Sequence, residues 1–170
     1  KRGAPLKDWG KTLPTPRALL VVSAHWEHVP LTIGHSQAHA ELFYDFGMPY
    51  DDLYRVKHSA PGAPSLAGTV ERMLTAKYGG VSRSDRLIDH GVWTPLVHMW
   101  PDADVPLLQL SMPHSMTEAE LFELGRTLAP LRDEGVFILG SGNITHNLYD
   151  TDWTETAPPA AYAQDFDQWA

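Results

Sequence analysis

The 170-residue chain contains no cysteine. That excludes disulfides and thiolate–metal sites, and it suits a cytoplasmic location. No apolar run approaches the ~20 residues that a membrane-spanning helix needs, so no membrane partner is expected. The opening residues, Lys1-Arg-Gly-Ala-Pro5, are polar and carry no signal-peptide pattern. Basic residues are few and dispersed, and the formal net charge is -8. A nucleic-acid partner is therefore not expected. There is no internal repeat, low-complexity tract or linker. The glycines at 140 and 142 do not form a phosphate loop, because the Lys-Ser/Thr ending is missing. They do not form a nucleophile elbow either, since Ser141 stands in the wrong frame.

Against these gaps, 43% of the residues are hydrophobic, enough for one ordinary globular core. Three segments share a pattern, a short apolar run that ends in a turn with a histidine at or just past its end. They are Ala18–Trp26 with His25, Leu87–Gly91 with His90, and Val136–Asn147 with His146. In open α/β sheets ligands bind at the carboxyl ends of strands. Histidines delivered to that edge meet in space although they are far apart in sequence. Imidazole is a common metal ligand and titrates nearest neutral pH, so the pattern points to a metal or acid–base site.

Strands are expected at 18–25, 29–33, 81–88, 105–110 and 136–139. Helices are expected at 64–78, with Gly79-Gly80 as the stop, at 94–100, and from Thr117 to about Arg132. Thr117-Glu-Ala-Glu120 is a capping-box signature. Alternating strands and helices predict an α/β fold, a single domain with a central mostly parallel or mixed sheet flanked by helices. Residues 34–63 read as an irregular excursion, and a loop that long is more often a binding loop than filler. Both ends look cut. A final helix with Thr156 as N-cap and Pro158-Pro159 in its first turn would present Tyr162, Phe166 and Trp169 as one apolar face with no following element. Residues 1–170 are thus expected to be one domain truncated at both ends.

Each candidate residue has two readings. His25 is a metal ligand at a strand end, or a histidine bonded to a nearby carbonyl. Asp89 either accepts the ring N–H of His90 and fixes its tautomer, or makes an ordinary turn before a helix. The Gly140–Asn147 segment is the most specific of the three. Its glycines allow close approach to a ligand and torsions that other residues resist, and Asn143 and Asn147 add donors and acceptors; the alternative is a strand-to-helix turn with a cap. Tyr44, Phe46, Tyr50 and Tyr54 are packing residues or the walls of an aromatic-substrate site. His98 reads as packing or surface, and His58 sits in a loop from which it could reach a substrate. Asp51 and Asp52 read as solvated.

Taken in order, Ser23-Ala-His25-Trp-Glu27, Tyr44-Asp-Phe-Gly-Met-Pro49, Leu87-Ile-Asp-His90-Gly-Val-Trp93, Trp100-Pro-Asp-Ala-Asp-Val-Pro106-Leu-Leu-Gln-Leu-Ser111 and Gly140-Ser-Gly-Asn-Ile-Thr-His146-Asn147 resemble the class III extradiol ring-cleavage dioxygenases. The 4,5-DOPA dioxygenase-like branch is the nearest. Each block alone is modest, but the ordered set is specific and runs over nearly the whole chain. The resemblance implies non-haem Fe(II) in active enzymes, with Zn(II) often found in isolated ones. It implies His25 as a metal ligand and His146 as the acid–base residue beside the metal, sometimes assigned as a ligand. It also implies that His90 contacts substrate beside the metal and shares in catalysis; Asn143 and Tyr44 are expected to bind substrate as well.

Two further ligand histidines of the family have no match in these residues. One belongs to a His-Gly-Ser-Pro-like block upstream and the other lies near the C-terminus. The partners implied are a small aromatic diol and O2, with a homo-oligomer allowed. A zinc-dependent hydrolase and a non-catalytic binding protein on the same fold are the alternatives.

Overall fold

The computed structural model describes residues 3–47, 51–143, 145–152, 154 and 156–170. The first element is one the sequence reading did not anticipate, the helix α1 (Gly3–Thr12). The strand β1 (Ala18–Glu27) comes after it, then the short strand β2 (Thr32–Ile33). The described residues of 34–47 and 51–63 hold little regular structure beyond a 3-10 turn at Leu53–Arg55. Next come α2 (Pro64–Tyr78), β3 (Ser82–Arg83), α3 (His90–Met99) and β4 (Leu107–Met112). The chain ends with α4 (Glu118–Leu128) and a 3-10 extension, β5 (Val136–Ser141), and α5 (Ala161–Trp169).

The five strands form one sheet in the order β3-β2-β4-β1-β5. The central strand β1 runs parallel to β4 and β5, pairing Leu19 with Leu107 and with Phe137. Only β2 meets β4 antiparallel, so the sheet is mixed but mostly parallel. Successive side chains of a strand point to opposite faces. Accordingly Leu20, Leu108 and Leu110 pack under α2 and α4, against Leu66, Val70, Leu74, Leu124 and Leu128. Leu19, Val21 and Leu107 face the other way, onto Val92, Trp93 and Leu96 of α3. Burial on both faces explains why the central strands read as continuous apolar runs rather than as alternating ones.

Several expectations change. The strand placed at 81–88 shrinks to Ser82–Arg83, because residues 84–89 make an irregular approach to α3. Helix α3 begins at His90, four residues earlier than the apolar pattern suggests, because the Asp89 side chain caps it by accepting from Gly91 N–H. Helix α5 starts after Ala160, and no side chain caps it. Thr156 is therefore not its N-cap, and Pro158-Pro159 precede it. Its expected apolar face does lie uncovered, with Trp169 79% exposed.

Candidate active site

Strand β1 delivers His25, and the end of β5 with Gly142 and Asn143 beyond it reaches the same edge of the sheet, where α3 starts with His90. A cavity of about 760 Å³ opens at this edge. Its polar wall carries His25, His90, Asn143 and His146. Its apolar wall is built by Leu6 and Trp9 of α1, Met99 of α3 and Leu139 of β5. Four residues singled out from sequence thus share one cavity. The fifth, Tyr44, is not among its lining residues. Its hydroxyl donates to the Val56 carbonyl at 2.7 Å, and its ring packs against Phe46, Tyr54 and Trp93. Tyr50 lies outside the described residues.

Gly140 and Gly142 contribute in a way the sequence did not reveal. Among the described residues, left-handed glycine torsions occur only at Gly79 and Gly135. The torsions at Gly140 and Gly142 are ordinary. A Cβ on Gly140 would meet nothing within 4 Å, so that glycine simply leaves space at the cavity wall. Asn147 turns away from ligand duty. Its side chain accepts from Tyr149 N–H at 3.2 Å and caps a 3-10 turn at Leu148–Asp150.

The rings of His25 and His90 lie 4.2 Å apart, centroid to centroid. The residue that joins them, Asp45, was not picked out from sequence. Its Oδ1 accepts from the His90 backbone N–H at 2.9 Å and contacts His90 Nδ1 at 2.8 Å, while its Oδ2 lies 3.3 Å from His25 Nδ1. Burial alone would raise the Asp45 pKa. The hydrogen bonds from His90 outweigh it and hold the carboxyl below its usual range. One ligand atom from each of His25, Asp45 and His90 falls within 4.8 Å of the others, a grouping able to hold a metal ion. Imidazole and carboxylate donors suit divalent iron or zinc.

Of the two readings of Asp89, the turn before a helix is the one found, and no pairing with the His90 ring occurs. Adjacent residues diverge at this helix start, and Asp89 points into the protein instead. It has no exposed surface. Its Oδ1 accepts from Ser23 Oγ at 2.7 Å and from Gly91 N–H at 3.0 Å, and its Oδ2 accepts from Gln109 Nε2 at 2.8 Å. Arg86 Nη2 stands 3.5 Å from Oδ2. Asp89 thereby ties β1, β4 and the start of α3 together beside the site, through Ser23 two residues from His25 and directly before His90. Gly91 leaves room for this bond, because a Cβ at that position would push on the Ser23 hydroxyl that Asp89 holds.

The remaining histidines lie elsewhere. His58 is buried at 3% exposure and so does not reach a substrate, and His39 is equally enclosed. The His98 ring packs against Gly3 of α1.

Comparison with known proteins bears on what this edge does. Residues 4–170 match a family model described as the catalytic LigB subunit of aromatic ring-opening dioxygenase. A 4,5-DOPA dioxygenase extradiol from Escherichia coli K12 is 39% identical over 94% of this chain and 59% of its own length. A protein of the same name from Beta vulgaris is 38% identical over 96% of this chain and 62% of its own. The crystal structure of an uncharacterized Escherichia coli K12 protein superposes with a TM-score of 0.81 at 36% identity, covering 98% of this chain and 63% of that one. The chain thus spans about three-fifths of the length of the relatives it matches.

Proposed function

The chain belongs to the LigB family of class III extradiol dioxygenases, in the 4,5-DOPA dioxygenase branch, and from that premise we propose that its sheet-edge cavity opens the ring of a catechol-type substrate with O2. The observation that carries this reading is the convergence of His25, His90, Asn143 and His146 on one cavity with an apolar wall. A flat aromatic diol buries its ring against Trp9, Met99 and Leu139 and turns its hydroxyls toward the imidazoles.

In this proposal His25 is a ligand for non-haem iron, with zinc as the substitute in isolated protein. A bound divalent iron would activate O2 and acidify the diol. The relatives are longer than the matched part, which leaves room for further ligands beyond these residues. His146, also on the cavity wall, takes the proton from a substrate hydroxyl and later returns it, a task suited to an imidazole near neutral pH. His90 hydrogen-bonds the substrate oxygen through its cavity-side nitrogen, and Asn143 adds an amide contact. The apolar wall keeps competing water from the reacting carbon atoms.

The test is to load the protein with Fe(II) under anaerobic conditions, add a catechol, and admit air. The expected result is a yellow ring-opened semialdehyde. His146→Ala should abolish that product and keep most metal affinity. Loss of both together would make His146 a ligand. Hydrolysis of an ester by the zinc form, with no O2-dependent product from the iron form, would replace this reading with a hydrolase.

A further inference from the structure

We propose that Asp45 is a positioning residue and not a metal ligand, and that its single carboxylate sets the tautomer of both His25 and His90. The inference rests on reading the cavity as a metal site, and it concerns how that site is prepared. Asp45 sits behind the two rings. Its side chain is 14% exposed, against 33% for His25 and 32% for His90, and it is not among the residues lining the cavity. Its Oδ1 already faces two donors of His90, the backbone N–H and Nδ1. An ionised carboxylate only accepts hydrogen bonds, so the His90 nitrogen 2.8 Å away must carry the proton. His25 Nδ1 lies 3.3 Å from Oδ2, an ion-pair distance without hydrogen-bond geometry, and the negative charge there favours a proton on that nitrogen.

With both protons on Nδ1, both Nε2 lone pairs are left for the cavity. One serves as a metal ligand and the other as an acceptor for a substrate hydroxyl. The carboxylate is held in place by its own segment. Phe43 N–H donates to the Ile88 carbonyl at 2.9 Å, and Trp93 Nε1 donates to the Phe43 carbonyl at 3.1 Å. The Phe46 ring packs edge-on against His90, with centroids 5.4 Å apart. Asp45 is therefore fixed before any ligand arrives, which is what preorganisation of a metal site requires.

The variant Asp45→Asn makes the idea sharp. Its amide oxygen can still accept from the two His90 donors. Its amide nitrogen must then face His25 Nδ1 as a donor, which drives the His25 proton to Nε2 and removes the lone pair from the cavity.

The measurement is imidazole nitrogen NMR on metal-free protein at about pH 8.5, above the ordinary imidazole pKa of about 6.5, paired with zinc affinity by chelator competition. In the unsubstituted protein both rings should rest as Nδ1–H. In Asp45→Asn the His25 ring should switch to Nε2–H while His90 does not, and zinc affinity should fall about 10–100-fold. Asp45→Glu should recover part of that loss. Finding either ring as Nε2–H in the unsubstituted protein overturns the proposal, and that measurement needs no variant to fold. So does zinc bound through Nδ1 of either ring, or an Asp45→Asn protein with both tautomers and zinc affinity unchanged. None of these readouts uses a catechol. Absence of ring opening would therefore count against the dioxygenase reading and leave the tautomer result standing.

Discussion

Asp89 is a buried carboxylate whose acceptor positions are met from three elements, and it holds the floor of the site. Removing it would leave the Ser23 hydroxyl and the Gln109 amide buried without an acceptor, would strip the cap from α3, and would free the guanidinium of Arg86. Breaking a buried charged network of this kind costs about 3–5 kcal/mol, so Asp89→Ala should lower the unfolding free energy by about that much in a urea titration. A cost below about 1 kcal/mol would mean that the network does not hold β1, β4 and the start of α3 together. This network and the Asp45 bridge mark the limit of what could be read from the chain at this level. His25, Asn143 and His146 were legible because each comes after an apolar strand and strand ends meet at one sheet edge; His90 reaches the same edge as the first residue of α3 and not at a strand end. Asp45 was not, because it reaches His90 across 45 residues of sequence from a segment with no periodicity. Its only signal was a lone acid between two aromatic residues. Asp89 was legible as a turn former. Its burial was not, since that depends on Gln109 arriving from a strand 20 residues on.

Helix α4 shows local chemistry deciding an element's start. Thr117 accepts from Glu120 N–H, and the Glu120 carboxylate accepts from Thr117 N–H at 2.7 Å, so two orphan donors are met reciprocally. Thr117→Ala should cost about 1 kcal/mol in global stability. Thr117→Ser, which keeps the oxygen, should restore most of it, and equal midpoints for all three proteins in chemical denaturation would refute the cap's contribution. The elements read correctly are those with such local signals. Helix α2 has a proline at its first position and Gly79 at φ 79° past its end, and its bounds came out as expected. Helix α1 was missed because little in Gly3–Thr12 favours a helix. What recommends it is tertiary, since Gly10 lets the helix lie against the Met99 backbone, where a Cβ would come within 2.7 Å of the carbonyl. The strand at 81–88 was overread because only Val81, Leu87 and Ile88 of it are apolar, and the polar residues between them stay partly exposed in an irregular stretch.

A second pair of histidines, the buried His39 and His58, comes from the 34–63 excursion and lies at the opposite end of β4 from the site. His39 sits against the start of that strand, where its Nε2–H donates to the Leu107 carbonyl at 3.0 Å, and its backbone N–H donates to the Ala60 carbonyl at 2.9 Å. His58 is buried with no hydrogen-bond partner for Nδ1 among the described residues. Burial lowers the pKa of both below the ordinary 6.5. His35 lowers His39 further by its charge, and His39 does the same to His58, while the Leu107 carbonyl works the other way at His39. Linkage carries these shifts to the whole molecule. Well above pH 6.5 both rings are neutral whether the chain is folded or not, so they contribute nothing to the pH slope. As the pH falls through 6.5 the unfolded chain takes up protons that the folded chain refuses, and stability is lost until the lower, folded values are passed. Asp45 adds a loss only at more acidic pH, because its folded value lies below the ordinary carboxyl range. The urea midpoint should therefore be flat above about pH 7 and fall as the pH drops below about 6.5. His39→Gln keeps an N–H for the Leu107 carbonyl and cannot titrate, so it should reduce that slope by about one proton at most. A profile equally steep in His39→Gln and His58→Gln would place the acid sensitivity elsewhere in the molecule.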